Sequence, residues 1–557
     1  MTTATQNSIL SRLYHWEKTA PNAVHFVQPI GNGEVEELTW AQCMDQVRRM
    51  AAYLKSLNLP DKSQIALIGK NSAHWMLADW AIWMAGHVTV PLYPTLNAET
   101  VRYILDHSEA RLVFIGKLDD WEMMRGGIPK DLPGVVLPLA PTDTGYTDWA
   151  TLCATQTPLA GDIERDPQEM ATIVYTSGST GQPKGVMHSF NTFRVVGEIY
   201  SKILGFGQED RCLSYLPLAH IYERMGVEIP SCYAGFKVFF AESLQTFPAD
   251  LRRARPTGFL SVPRLWTKFE SAVDAKIPKK KQRILFRIPI IGKKVKHKIL
   301  IQLGLQDCRF AATGSAPLPP TTVEWYRSLG LELLEGYGMS EDFGISHVTR
   351  PGESKIGYVG RPNEGVEARI EANGEIVIKS PAGMMGYFKD PEKTAESFTA
   401  DGFFKTGDMG EYDAQGKLRI TGRIKELFKT SKGKYVAPVP IENRLGRSSN
   451  VEVACVGGAN QPATHALILL SEDLRVALDK GADRKSVEKE LMQAMEEANA
   501  ELDPHEHLQF LVVVKDVWTI ENEFLTPTMK IKRNVIEKHY ADRTDGWYSQ
   551  QQKVIWE

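Results

Sequence analysis

A chain of 557 residues is too long for one ordinary domain and implies two or three. Hydrophobic residues at 43% and charged residues at 24% are the proportions of an ordinary globular protein, and a net charge of −3 gives no global attraction for nucleic acid. Six scattered cysteines without a CxxC pair argue for reduced thiols and a cytoplasmic setting, against a disulfide framework or zinc site.

The opening residues, MTTATQNSILSRLYHWEKTAP, lack a basic start followed by an apolar core, so no secretory signal is expected. The most apolar stretch, 72–94, is interrupted by His74, Asp79 and His87 and divided by Gly86. That pattern predicts a core helix ending at Gly86 and a strand through Val88 and Val90, not a membrane span. The segment 141–167, rich in Thr, Asp, Gly and Pro, reads as a loop between two sheets. From about 169 to 334, short β-branched runs (171–176, 238–241, 258–262) alternate with helical patterns (191–204, 262–273), which implies mainly parallel sheets covered by helices. After Gly365 short strands with Gly turns follow, at 368–370, 375–379 and 418–421, and look antiparallel. A separate unit with a helix near 485–499 begins beyond Gly422.

The expected fold is therefore α/β. A large N-terminal body (1–422) holds two packed, mainly parallel sheets with helices, plus a small β-barrel-like part. A hinge (423–425) leads to a small mobile α+β C-terminal domain (426–557).

One motif dominates, YTSGSTGQPKG at 175–185. An apolar strand runs into a loop of glycines and hydroxyls that ends in a lysine. Gly178 and Gly181 let backbone N–H groups approach phosphate oxygens, Thr176, Ser177, Ser179 and Thr180 add hydroxyl donors, and Lys184 adds charge. Gly185 after the lysine excludes a Walker A loop.

This segment closely resembles the phosphate loop of the adenylate-forming superfamily, which includes acyl-CoA synthetases, peptide-synthetase adenylation domains and firefly luciferase. Further family motifs follow in order over roughly residues 40–540. Gly314-Ser315-Ala316 is similar to the segment lining the adenine pocket. In Glu335-Gly336-Tyr337-Gly338-Met339-Ser340-Glu341, the resemblance implies that the Tyr337 ring stacks on adenine. Glu341, with Thr176, would hold Mg2+, a hard cation that needs oxygen ligands. It further implies that Asp408, in Lys405-Thr406-Gly407-Asp408, binds the ribose hydroxyls with Arg423. Lys425 would then be the hinge and Lys530, in Thr526-Pro527-Thr528-Met529-Lys530-Ile531-Lys532-Arg533, the catalytic lysine. Many members carry Ser-Gly before that lysine, where Thr528-Met529 stand here; Lys532 is the second choice.

The chain is most similar to long-chain fatty acyl-CoA synthetases, through Pro217-Leu218-Ala219-His220-Ile221-Tyr222-Glu223-Arg224 and Lys434-Tyr435-Val436-Ala437-Pro438. His220 and Tyr222 would then lie near the acyl carboxylate. The implied reaction takes a fatty acid, ATP and coenzyme A through an acyl-adenylate to acyl-CoA. The alternatives are delivery to a carrier-protein pantetheine, a non-fatty carboxylate, or a nucleotide sensor with degraded catalysis. The retained charges of Lys184, Glu341, Asp408, Arg423 and Lys530 speak against the sensor. Between Lys276 and Lys298 lie ten Lys or Arg and no acidic residue, with isoleucines interspersed. Such a segment suits an anionic membrane surface on the inner face, a solvated helical face, or a coenzyme A phosphate contact.

Overall fold

The computed structural model describes residues 7–176, 182–520, 522–526 and 530–557. An eight-stranded sheet forms the centre of the first body. Its order is Gly386–Tyr387, Lys184–Ser189, Met170–Thr176, Val88–Leu92, Gln64–Ile68, Leu112–Ile115, Gly134–Val136 and Thr147–Asp148. From Met170–Thr176 outward through Thr147–Asp148 the strands are parallel, whereas Lys184–Ser189 and Gly386–Tyr387 run antiparallel to their neighbours. The parallel centre is covered on both faces, which is why Val88–Leu92 is buried at every residue and reads as a continuous apolar run.

The apolar stretch folds as expected. Ser72 caps helix Ala73–Ala85 by accepting from the Trp75 N–H, and Gly86 ends it at φ 97°, a conformation glycine adopts without strain. All thirteen residues of that helix are buried in the protein core. Among the described residues no helix is long and apolar enough to cross a membrane.

Two further mixed sheets complete this layer. One, ordered Arg211–Ser214, Lys237–Phe240, Val24–Gly31 and Glu34–Thr39, is parallel except at its last strand. The other runs Gly258–Ser261, Phe310–Thr313, Leu333–Tyr337, His347–Val348 and Arg361–Pro362, with its first three strands parallel. The loop expected over 141–167 is interrupted. Asp148 accepts from the Thr151 N–H and starts helix Trp149–Ala154, whose Trp149 and Cys153 are buried. A cap plus a buried aromatic overrides the loop-like composition.

The antiparallel texture after Gly365 becomes a four-stranded sheet, Glu367–Ile370, Glu375–Lys379, Phe404–Tyr412 and Leu418–Arg423, with Gly374 at φ 84° in the first turn. Leu418 exchanges backbone hydrogen bonds with Val359 and Gly360 and so stitches this sheet to the one before it. Beyond it, strands Val451–Gly457, Thr464–Leu470, Leu508–Val513 and Val554–Trp556 carry helices Pro438–Leu445, Arg484–Asn499 and Arg533–Ser549. Among the described residues their two apolar cores draw on positions from Phe428 onward. An Arg264–Glu452 ion pair bridges the two bodies.

Inside the first body lies a charge cluster with no exposure to water. Arg224 binds Asp79 through Nη2, Glu228 Oε2 through Nε at 2.8 Å, and Thr172 Oγ1 through Nη1 at 3.1 Å. The rings of Trp75, Trp83 and Phe193 surround the guanidinium at 5.2–5.7 Å. Two carboxylates against one guanidinium leave an excess negative charge, and burial accordingly raises the Asp79 carboxyl well above its usual range despite Arg224. Removing the cation alone strands both acids, so Arg224→Met should cost roughly 3–5 kcal/mol of stability. The triple change Arg224→Met, Asp79→Leu, Glu228→Met should recover most of it. Urea-denaturation midpoints check both; an unchanged midpoint in the single variant refutes the assignment.

Candidate active site

The 177–183 segment leaves the C-terminal end of Met170–Thr176 in the eight-stranded sheet, and the segments after Phe310–Thr313 and Leu333–Tyr337 leave the C-terminal ends of adjacent parallel strands in another. These are the ends at which open α/β sheets characteristically hold ligands. Thr176 is the last residue of Met170–Thr176 and stands in register with Lys184 at the start of the next strand. Ser177, Gly178, Ser179, Thr180 and Gly181, between them, lie outside the described residues, as do Pro527, Thr528 and Met529. Lys184 Nζ sits 5.5 Å above the Tyr387 ring, and the Tyr387 hydroxyl donates to Glu341 Oε1 at 2.8 Å. A chain of contacts thus joins the motif lysine to the motif glutamate.

Glu341 lies in the short 3₁₀ turn Ser340–Asp342, which is held from three sides. Asp342 Oδ1 accepts from the Met339 and Gly344 N–H groups, both at 2.9 Å. His188 Nε2 donates to the Ser340 carbonyl at 2.7 Å, and burial lowers that imidazole to about 3, so it stays neutral. Gly338 passes so close to Gly344 that a Cβ there would lie 2.5 Å from the Gly344 carbonyl carbon. Lys184 and His188 share one face of a single strand, since side chains alternate. His188, Tyr387 and Asp342 were absent from the sequence reading; for His188 that alternation was the available signal.

Desolvation raises the Glu341 carboxyl, and its second oxygen has no hydrogen-bond partner among the described residues. A desolvated carboxylate short of positive charge is what a hard divalent cation with few protein ligands requires, so the residues present fit magnesium.

In the four-stranded antiparallel sheet, Asp408 and Arg423 face each other across adjacent strands. Arg423 Nε donates to Asp408 Oδ1 at 2.6 Å, and the Tyr337 hydroxyl donates to Oδ2 at 2.8 Å. Each carboxylate oxygen keeps a further acceptor site. Glu335 turns away from this group: buried, it accepts from the Gly357 N–H at 3.3 Å and is raised to about 7 by desolvation. Gly336 pairs with Val348 in the sheet. Ser315 adopts φ 69°, the left-handed region that a non-glycine residue occupies at a cost. Ala316 beside it is exposed, and a Cβ on Gly314 would touch the Tyr222 ring at 3.4 Å.

His220 caps the turn Ile221–Glu223, its Nδ1 accepting from the Tyr222 N–H at 3.0 Å. That bond places the proton on Nε2, which has no partner among the described residues. Burial, and then the charge of Lys530, lower the imidazole to about 3. The Tyr222 hydroxyl is engaged by the Ser261 carbonyl at 3.2 Å, so its ring rather than its hydroxyl is offered to the cleft. Lys530 reaches this group from the second body. It keeps contact with solvent, yet desolvation by the cleft walls and then the neighbouring Arg423 lower its pKa, against the opposing charges of Asp408 and Glu426. Lys532, by contrast, pairs with Glu523 at 3.6 Å. Lys425 lies exposed in the turn Ile424–Glu426 between the bodies.

A buried carboxylate held by Arg423 and Tyr337 and a lysine carried on a separate small domain accompany the sequence motifs of an adenylate-forming carboxylate ligase, and the comparisons bear out that class. The chain belongs to the AMP-binding enzyme family, whose model matches residues 13–388, and the AMP-binding enzyme C-terminal domain matches 426–552. It is 28% identical to long-chain-fatty-acid–CoA ligase FadD15 of Mycobacterium bovis, over 99% of this chain and 98% of that protein. It is 30% identical to fatty acyl-CoA synthetase A of Dictyostelium discoideum, covering 93% and 86% of the two. The fold is shared with the adenylation domain of a carboxylic acid reductase from Segniliparus rugosus, solved with AMP and a co-purified carboxylic acid. That match has a TM-score of 0.80 at 21% identity, over 99% of this chain and 95% of that one. The anthranilate CoA ligase AuaEII matches with a TM-score of 0.78 at 20% identity, over 96% and 97%.

Glu223 stands in the sequence motif 217–224, which assigned it no role. It is buried, accepts from the Tyr215 N–H at 3.1 Å and the Asn71 amide at 3.3 Å, and desolvation raises it to about 8. Because the folded pKa exceeds the unfolded one, its stabilising share is complete in acid and is lost as pH rises through about 8. Glu223→Gln, which accepts the same bonds without a titrating proton, should flatten the fall in melting temperature between about pH 5 and 8. Parallel profiles for the two proteins would refute this.

Proposed function

We propose that the chain activates a medium- to long-chain fatty acid with ATP and transfers the acyl group to coenzyme A. The observation that carries this reading is the position of Lys530, brought by the second body among Asp408, Arg423 and His220 of the first. Sequence relatives that span nearly the full chain and are named fatty acyl-CoA ligases support the substrate class. The reductase adenylation domain shares the fold alone and does not favour a carrier protein as acceptor.

In the first half-reaction a carboxylate oxygen bonds to the α-phosphorus as the bond to pyrophosphate breaks, leaving acyl-AMP. Anion approaches anion, so the barrier is largely electrostatic. Neutral His220, with Nε2–H free, donates to the fatty carboxylate and orients it. The Lys530 ammonium offsets charge on the approaching carboxylate and the α-phosphate, and Lys184 offsets charge on the departing pyrophosphate. Asp408, held by Arg423 and Tyr337, accepts from the ribose hydroxyls and fixes the nucleotide against sliding. Magnesium, held through Glu341 and Thr176, would supply further neutralisation at the phosphate oxygens. In the second half a coenzyme A thiolate bonds to the acyl carbon and AMP leaves. Rotation of the small domain about Lys425 withdraws Lys530 and admits the thiol.

Lys530→Ala should lower pyrophosphate exchange by on the order of 10²–10³ or more, while largely sparing thiolysis of supplied acyl-AMP. Lys532→Ala should leave both near wild type. Equal loss of the two half-reactions in Lys530→Ala would show that the lysine is wrongly assigned. Lys425→Pro should spare exchange and slow thiolysis, because a fixed φ stiffens the hinge. Across a panel of acids with coenzyme A, AMP release should rise with chain length; ADP in place of AMP would overturn the proposal.

A further inference from the structure

On the outside of the first body, helices Lys279–Arg287 and Pro289–Gln302 form a hairpin that no step of the ligase chemistry uses. Its underside is firmly built. Buried Gln282 donates to Asp274 Oδ1 at 2.7 Å and to the Ile277 carbonyl at 2.6 Å, and accepts from Trp325 Nε1 at 2.8 Å. Phe286 and Val295 pack onto the core that contains Trp266 and Tyr326, and Lys296 lies 5.3 Å over the Phe286 ring. At the corner a Cβ on Gly292 would sit 2.8 Å from the carbonyl oxygens of Leu285 and Phe286, so the two helices meet tightly.

The outer side is unlike an ordinary protein surface. Ile284 is 66% exposed, Ile288 39%, Ile290 73% and Ile291 49%, and three of these four cluster at the corner. Lys280, Lys281, Arg283, Arg287, Lys293, Lys294 and Lys298 are exposed around them. Of the ten basic side chains between Lys276 and Lys298, only Lys279 has an acidic partner among the described residues, pairing with Glu270 and Asp274. Scattered exposed apolar residues are commonplace. A cluster of β-branched ones at a rigid corner, ringed by unpaired cations, marks a surface that something covers.

We propose that this hairpin docks on an anionic lipid bilayer, with the isoleucines of the corner entering the interface and the lysines and arginines facing lipid phosphates. A purely solvated face would gain nothing from the isoleucines, and neither a polyanion such as nucleic acid nor the coenzyme A phosphates would contact them. A bilayer uses both sets at once. The same aromatic core joins the hairpin to the cleft: Phe286 belongs to the cluster that includes Phe269, Phe259 and Tyr215, and Tyr215 donates to the Leu260 carbonyl one residue before Ser261, the partner of Tyr222.

The test is sedimentation of the full chain with vesicles of phosphatidylcholine alone, or of equal parts phosphatidylcholine and phosphatidylglycerol, without substrates. The wild type should sediment with the mixed vesicles only, and less so at high salt. Ile290→Asp/Ile291→Asp and Lys280→Gln/Lys281→Gln/Lys293→Gln/Lys294→Gln should each lower partitioning at least about tenfold. None of these residues touches the cleft, so pyrophosphate exchange should stay at the wild-type rate in both variants, which separates this inference from the ligase reading. No binding to mixed vesicles would overturn the proposal. So would full binding by the isoleucine variant with loss in the lysine variant alone, the signature of a soluble polyanion site.

Discussion

A guanidinium without access to water joins the two sides of the cleft. Arg224 reaches Asp79 on the buried helix Ala73–Ala85, Glu228 one turn further along its own helix, and Thr172 in the strand that ends at Thr176. Its neighbour Glu223 clamps the backbone at Tyr215, and two residues before that Ile221 starts the turn capped by His220. The turn capped by His220 and the strand that ends at Thr176 are thus tied to one side chain. The residues Arg224–Glu228 form a π-helical turn, a widened geometry that persists only where contacts impose it and often lies beside functional sites. Ion pairs of this kind contribute little net stability compared with apolar packing, but they specify one arrangement because any slip leaves a charge unpaired.

A second constraint comes from strand register. Asp408 and Arg423 are opposite residues in an antiparallel pair, so their separation is set by the ladder and not by side-chain search. Tyr337 arrives from another sheet and occupies the remaining side of the carboxylate. Ordered in this way before any ligand binds, Asp408 loses little entropy when it accepts further donors.

How far the sequence revealed this arrangement depended on whether the signal was local. Gly86, the strand into Thr176, the turn at Gly374 and the helix beginning near 484 each announce themselves within a few residues, and the structure has them where expected. Lys184, Glu341, Asp408, Arg423 and Lys530 were legible only because motifs follow one another in a known order. Asp79 and Arg224, 145 residues apart, carry no such signal. Asp79 read merely as an interruption in an apolar stretch, and Arg224 as the end of a quoted motif. Tyr387 was missed for the same reason, since its role exists only once strands about two hundred residues apart pair; His188 shares the face of Lys184, but its partner, the Ser340 carbonyl, lies 152 residues away. The helix Trp149–Ala154 failed differently: its composition is that of a loop, and a single cap with one buried tryptophan outweighs it.

On the proposed reaction, the electrostatics of Lys530 explain why its ammonium would be carried on a separate body. Its surroundings are balanced only in part: Arg423 and desolvation act against the charge, Asp408 and Glu426 for it. A triphosphate in the cleft would tip that balance strongly towards insertion, because it brings negative charge to a site of low effective dielectric. On the proposed reaction, departure of pyrophosphate removes most of that charge, and the same desolvation and the same Arg423 then oppose the lysine. Among the described residues the ion pair that bridges the bodies is Arg264–Glu452, exposed on one side and correspondingly weak. A charge-driven hold that lapses when the first product leaves would convert the chemistry of one half-reaction into the opening needed for the next.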